Sequence, residues 1–236
     1  MSLTVVIPLY DKFDSLDVLG PCQAFYFAGM TVVLCAETLA PVTSLEGVQI
    51  IPGSTFEGCP QADVLFVPGG EGPMEVFSLG SPSDNPYLQF LVKQAAGVKL
   101  LCSVCTGAIL LAGAGLLKNQ LVTTHWAYKP VLRLFDCTVI DDYRRYVQSG
   151  TIVTGAGISS GLDEALYLIG VLLGVQTARS VQLKMQYHPQ PVFHCGDPTD
   201  ADIQDDPGMV AQVSTEWEIE QAYEQVAQWM GSASAK

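Results

Sequence analysis

The chain of 236 residues is 49 % hydrophobic and only 15 % charged, and so apolar a composition offsets the entropy of ordering and excludes a disordered chain. Its charges are lopsided, 24 acidic against 11 basic for a formal net charge of -13, which disfavours binding to nucleic-acid phosphates. The longest apolar runs, 108–117 and 165–175, reach about half of the roughly 20 residues that a membrane span requires, and the first ten residues lack the basic start and small-residue cleavage site of a signal peptide.

Strand and helix patterns alternate along the chain. Residues 3–7 are a β-rich apolar run closed by Pro8, and a helical pattern follows over 16–28. Residues 31–35 and 48–51 are short strands, and 64–67 is a strand stopped by the turn Pro68-Gly69-Gly70. Asn85 caps a helix over 86–96, with Pro86 at its first position. Residues 100–104 form a buried strand and 106–117 a strongly apolar helix. Residues 143–147 and 151–154 flank Gln148-Ser149-Gly150 as a hairpin, and helices follow over 161–175 and 178–187. This alternation predicts an α/β sandwich, a mostly parallel sheet with helices on both faces. From His188 the chain becomes proline-rich and then acidic to Asp206, before a last helix over 213–230. We therefore divide it into a domain over 1–187 and an acidic extension over 188–236 whose terminal helix packs on that domain. Seven cysteines, an odd number set mostly beside apolar neighbours, indicate buried free thiols in a reducing, cytoplasmic compartment.

The segment that carries chemistry is Leu100-Leu-Cys-Ser-Val-Cys105-Thr-Gly-Ala-Ile. A buried strand runs to Cys105, and small residues open an apolar helix immediately after it. This is the layout of a nucleophile elbow, which lifts one side chain above the sheet edge. A helix N-terminus at that point is expected to lower the thiol pKa, and the backbone N–H groups of Gly69 and Gly70 are expected to face the same spot as an oxyanion hole. Cys102 and Cys105 also make a lone C-x-x-C, a weak metal signal. His188 and His194-Cys195 sit in a loop with no ligand pattern, so no metal is expected. The pair Arg144-Arg145 is too small for a nucleic-acid surface.

Ser103-Val-Cys-Thr-Gly-Ala108, Ala114-Gly-Leu-Leu117 and Thr123-Thr-His-Trp-Ala-Tyr128, with Leu16-Asp-Val-Leu-Gly-Pro21, Val67-Pro-Gly-Gly70 and Thr154-Gly-Ala-Gly-Ile-Ser-Ser-Gly-Leu-Asp163, resemble the DJ-1/PfpI superfamily. Within it they resemble the branch that holds isocyanide hydratases and the amidase-like domains of AraC-type regulators. The resemblance spans about residues 3–187. It implies a flavodoxin-like sandwich, a homodimer, and Cys105 as the nucleophile. Peptidases of the superfamily carry a His directly after the nucleophile, where this chain has Thr106, so a peptidase triad is unsupported. The resemblance instead implies Asp17 beside the thiolate, an acid whose pKa burial and like charge would raise. The expected chemistry is conversion of a small-molecule isocyanide to an N-substituted formamide through a thioimidate, without metal or organic cofactor. Thr106 would position water or the carboxyl, Gly69 and Gly70 would line the pocket, and Ile158 would add an apolar wall. His125 is a candidate by analogy with DJ-1, and otherwise a structural member of its Thr-Thr-His-Trp segment. The alternatives are a redox-sensing DJ-1-like protein, a glyoxalase-type enzyme or another Cys-dependent hydrolase. An AraC-type regulator is disfavoured, because residues 187–236 hold nine acidic residues and a single basic one, Lys236, where such a regulator carries a Lys- and Arg-rich DNA-binding pair.

Overall fold

Strands with no polar face must be covered on both sides, and the structure, a computed structural model that describes residues 2–206 and 208–234, is arranged around that need. The strands are β1 (Thr4–Pro8), β2 (Thr31–Ala36), β3 (Val42–Thr43), β4 (Gln49–Ile50), β5 (Ser54–Thr55), β6 (Val64–Val67), β7 (Leu100–Ser103), β8 (Leu121–Val122), β9 (Thr138–Val139), β10 (Tyr146–Ser149) and β11 (Ile152–Gly155). Seven of them form one sheet in the order β10-β11-β7-β6-β1-β2-β5. All its pairings are parallel except the β10–β11 hairpin. The central strands β6 and β7 are buried along their whole length, which is why they read as unbroken apolar runs. Two short pairs, β3–β4 and β8–β9, lie outside this sheet.

The helices are α1 (Ser15–Phe27), α2 (Pro73–Ser78), α3 (Pro86–Ala95), α4 (Gly107–Gly113), α5 (Lys129–Leu132), α6 (Ser160–Leu173), α7 (Val175–Lys184), α8 (Ala201–Asp205), α9 (Gly208–Glu216) and α10 (Ile219–Ser234). They pack as two groups, α1 with α6 and α7, and α4 with α2, α3 and α5 under α10. This is the doubly covered sheet that the alternation predicts, and the flavodoxin-like sandwich that the family resemblance implies. Asn85 caps α3 by accepting from the N–H groups of Tyr87 and Leu88 at 3.0 and 3.1 Å.

Several boundaries differ from expectation, each for a physical reason. The helix expected over 106–117 ends at Gly113, and the chain turns so that Leu117 is buried. The helices expected over 161–175 and 178–187 nearly join, parted by Gly174 at φ 91°, a conformation that suits glycine. The single helix expected over 213–230 is broken at Trp217 and Glu218, the latter at φ 49°. Trp217 turns inward there to stack on His125, with ring centroids 4.5 Å apart. The short helix α2, with Pro73 in its first turn, has no counterpart in the expected elements.

The last helix lies on α2 and α5. Val226 is fully buried, Trp229 packs on Phe77 at 4.6 Å, and its indole N–H donates to Gly80 O at 2.9 Å. Among the described residues no helix is long and apolar enough to cross a membrane. Phe77 also touches Phe135, with centroids 6.4 Å apart, so Phe77→Ala should destabilise the fold by about 3–5 kcal/mol. Urea unfolding measures that loss, and earlier proteolysis of residues 208–234 would show that the terminal helix is released with it.

Candidate active site

The β7–α4 turn is built from three backbone ties. Val104 N–H donates to Val67 O at 3.0 Å, Cys105 N–H to Ala156 O at 2.7 Å, and the Thr124 hydroxyl to Cys105 O at 2.7 Å. These hold Cys105 at φ 55°, a left-handed conformation that non-glycine residues rarely adopt. The result is an elbow whose side chain points from the ends of the parallel strands, where open α/β sheets bind ligands. Gly69 must be glycine for the turn to close, since a Cβ there would stand 2.5 Å from Thr106 N and 2.7 Å from Cys105 Cβ.

Cys105 is only 2 % exposed. Burial, and next the charge of Asp17, push its thiol well above the ordinary range, while the backbone N–H groups of Thr106 and Ile158 at the sulfur pull the other way. The expectation of a thiol lowered outright by a helix N-terminus is thus corrected. α4 is a seven-residue helix that starts two residues beyond the sulfur, and desolvation outweighs its dipole.

Asp17 lies in the first turn of α1, which Asp14 caps by accepting from Leu16 N–H at 3.0 Å. It is fully buried, and its Oδ2 accepts from Gly69 N–H at 2.8 Å. Burial, then the charge of Asp14, drive its carboxyl well up, opposed by the Gly69 bond. A protonated Asp17 removes the second cause of the rise at Cys105 and leaves the first, burial, in place.

The glycine turn is not an open oxyanion hole. Gly69 N–H is taken by Asp17, and Gly70 N–H donates to Thr106 Oγ1 at 2.8 Å. The same hydroxyl donates to Gly70 O at 2.6 Å, so the Thr106 side chain tethers the turn and its proton is committed. Ile158 presents its backbone N–H to the sulfur, a role not foreseen for an apolar wall. His125 is buried and accepts from Ala127 N–H through Nδ1 at 3.3 Å. Burial lowers its pKa to about 4, and it bonds to neither Cys105 nor Asp17. All seven cysteines are free, and among the described residues no cluster of His, Cys, Asp and Glu fits a metal ion.

Three further groups escaped the sequence reading. Tyr10 follows β1 and donates its hydroxyl to Pro68 O at 2.8 Å, bracing the glycine turn. Tyr128 and Trp217 line a cleft of about 850 Å³ with Lys12, Glu71 and Glu218. A smaller cleft of about 240 Å³ runs along His125, Tyr143, Gly157 and Ile158. The buried Glu164 of α6 is the third, and its only sequence signal is a carboxylate inside the stripe of buried positions 161, 164, 165 and 168.

Because the folded state raises the Asp17 pKa, folding favours its protonated form. That contribution is fully present below the unfolded value and is lost as the pH rises towards the folded one. Asp17→Asn should therefore match wild-type stability near pH 4 and exceed it progressively towards pH 8. Paired denaturant titrations across that range measure the difference.

The chain is similar in sequence and fold to known proteins. A sequence model of the DJ-1/PfpI family matches residues 3–169. An isonitrile hydratase of Pseudomonas putida is 40 % identical over 202 residues, 85 % of this chain and 86 % of that protein. The crystal structure of a ThiJ/PfpI family protein from Pseudomonas syringae superposes with a TM-score of 0.86 at 30 % identity, covering 96 % of this chain and 91 % of that one. The transcriptional regulator GbdR of Pseudomonas aeruginosa is 29 % identical over 129 residues, which is 55 % of this chain but only 34 % of the regulator. The chain belongs to the DJ-1/PfpI family.

Proposed function

We propose that the protein is an isonitrile hydratase, a lyase that adds water to an isocyanide and releases an N-substituted formamide. The observation that carries this is a buried, left-handed cysteine whose sulfur feels the backbone N–H groups of Thr106 and Ile158 and the carboxyl of Asp17, while His125 bonds to Ala127 instead. A histidine-dependent hydrolase has no base at this sulfur. A proton-carrying Asp17 beside a thiolate suits an electrophile that needs a nucleophile and a proton at the same carbon. The 40 % identity with the Pseudomonas putida isonitrile hydratase supports the same reaction.

The Cys105 thiolate bonds to the terminal carbon of R–N≡C while Asp17 gives that carbon its proton, leaving R–N=CH–S–Cys105 and an aspartate. Water then bonds to the carbon and yields a proton to Asp17, which passes it to nitrogen. As the C–S bond breaks, its electron pair returns to sulfur and the hydroxyl proton returns to Asp17. Thiolate and acid are thereby regenerated, and no cofactor enters the cycle. Thr106 and Ile158 N–H groups stabilise the sulfur whenever it is anionic, and the Thr106 hydroxyl holds Gly70. The enzyme acts on a small-molecule substrate as a cytoplasmic homodimer.

Formamide release from a simple aryl isocyanide tests the assignment. Cys105→Ala should abolish it, and Asp17→Asn should lower kcat/KM by about 100-fold or more. Thr106→Val, which loses both bonds to Gly70, should cost about tenfold. Wild-type protein that releases no formamide would refute the hydratase assignment.

A further inference from the structure

Behind Asp17, between α1, α6 and the sheet, lies a group of polar atoms that the steps above leave unused. Glu164 is fully buried, and neither of its carboxyl oxygens has a hydrogen-bond partner in the protein. Ser160 Oγ, one turn earlier on α6, and Asp17 Oδ1 are likewise fully buried and unpartnered. Two of these atoms crowd the bare face of Gly155, where a Cβ would stand 2.4 Å from Glu164 Oε2 and 3.1 Å from Ser160 Oγ. Gly155 directly precedes Ala156, whose carbonyl accepts from Cys105 N–H at 2.7 Å, so the cradle backs onto the elbow itself. α6 and α1 meet there, Gly161 facing Pro21 and Gly20 facing Leu162.

Buried oxygens without partners are costly, and a site with two to four convergent polar groups is what a structural water requires. We propose that Glu164, Ser160 and the free oxygen of Asp17 bind buried water, and that this site supplies the water molecule that opens the thioimidate. This rests on the hydratase assignment for its second half, but the water site itself does not. The hydrolytic step then draws on water already beside Asp17, the group that must take its proton. Glu164 acts through that water, as a positioning residue. The ionisable groups around it are Asp17 on α1, Cys102 on β7 and Tyr146 on β10. None is cationic, and burial followed by the charge of Asp17 pushes Glu164 up, towards the form that donates a hydrogen bond to water.

Two measurements test this. A high-resolution crystal structure of the wild type should show ordered water within hydrogen-bond distance of Glu164 and Ser160, and Glu164→Leu should lack it. A dry wild-type site overturns the proposal whether or not isocyanides are turned over. In rapid-quench mass spectrometry with an aryl isocyanide, Ser160→Ala and Glu164→Leu should form the Cys105 adduct as fast as wild type and then accumulate it. Their kcat should fall at least tenfold, while Glu164→Gln, which still bonds to water, should stay within threefold of wild type. Wild-type adduct levels and kcat in both Ser160→Ala and a folded Glu164→Leu would overturn the delivery role. Failure of the wild type to react at all would count against the hydratase assignment and leave the crystallographic result to decide the site.

Discussion

A left-handed cysteine is the constraint around which this molecule is organised. Holding a non-glycine residue at φ 55° costs on the order of 1–3 kcal/mol, and such a conformation persists only where its surroundings over-determine it. Here they do, since the turn is tied to the end of β6 through Val67, to the segment after β11 through Ala156, and to the segment after β8 through Thr124. Each tie comes from a different part of the chain, so the elbow forms only once the parallel sheet is in register. Strain at Cys105 and order in the sheet are therefore the same fact seen at two scales. The geometry also fixes which backbone N–H groups can reach the sulfur, and those belong to Thr106 and Ile158 rather than to the glycine turn.

The second constraint is charge. Asp14, Asp17, Glu164 and Cys105 share one desolvated region, and none of the ion pairs between side chains found in the described residues reaches it. Those pairs, such as Lys12 with Glu75 and Lys99 with Asp63, sit at least partly exposed and contribute little to stability. With no cation to offset them, the buried acids cannot all ionise. The site is therefore biased towards its protonated forms. Acid and thiol here lie in one buried region without a cation, and burial is the largest cause of the rise in both.

What the sequence discloses follows from the range of the interactions involved. Cys105 is legible because its signal is local, a buried strand, one cysteine and a run of small residues. The central strands are legible because burial on both faces leaves unbroken apolar runs. Asp17 has no such local signal and emerges only through family resemblance, since an acid in the first turn of a helix is otherwise ordinary. Gly69 and Gly70 show the opposite failure. Their N–H groups look free in a glycine turn, yet Asp17 and Thr106, 52 and 36 residues away in sequence, consume them. The break at Trp217 is equally invisible locally, because the helical pattern runs through it and only the ring of His125 explains it.

The acidic extension changes meaning once its position is known. Nine of the chain's acidic residues lie in 187–236, and two of them, Glu216 and Glu218, join Glu71 and Glu75 along the large cleft. Trp217 between them stacks on His125 and accepts from the Tyr128 hydroxyl at 3.4 Å through its carbonyl. Tyr128 in turn is pushed up to about 12, by burial first and then by Cys105, Glu71 and Glu218. The extension thus covers His125 and adds acidic side chains to the cleft wall. A charge imbalance that first speaks only against nucleic acid is, in part, a property of that cleft wall. The same placement buries the His125 ring against aromatic side chains, and that burial lowers its pKa to about 4.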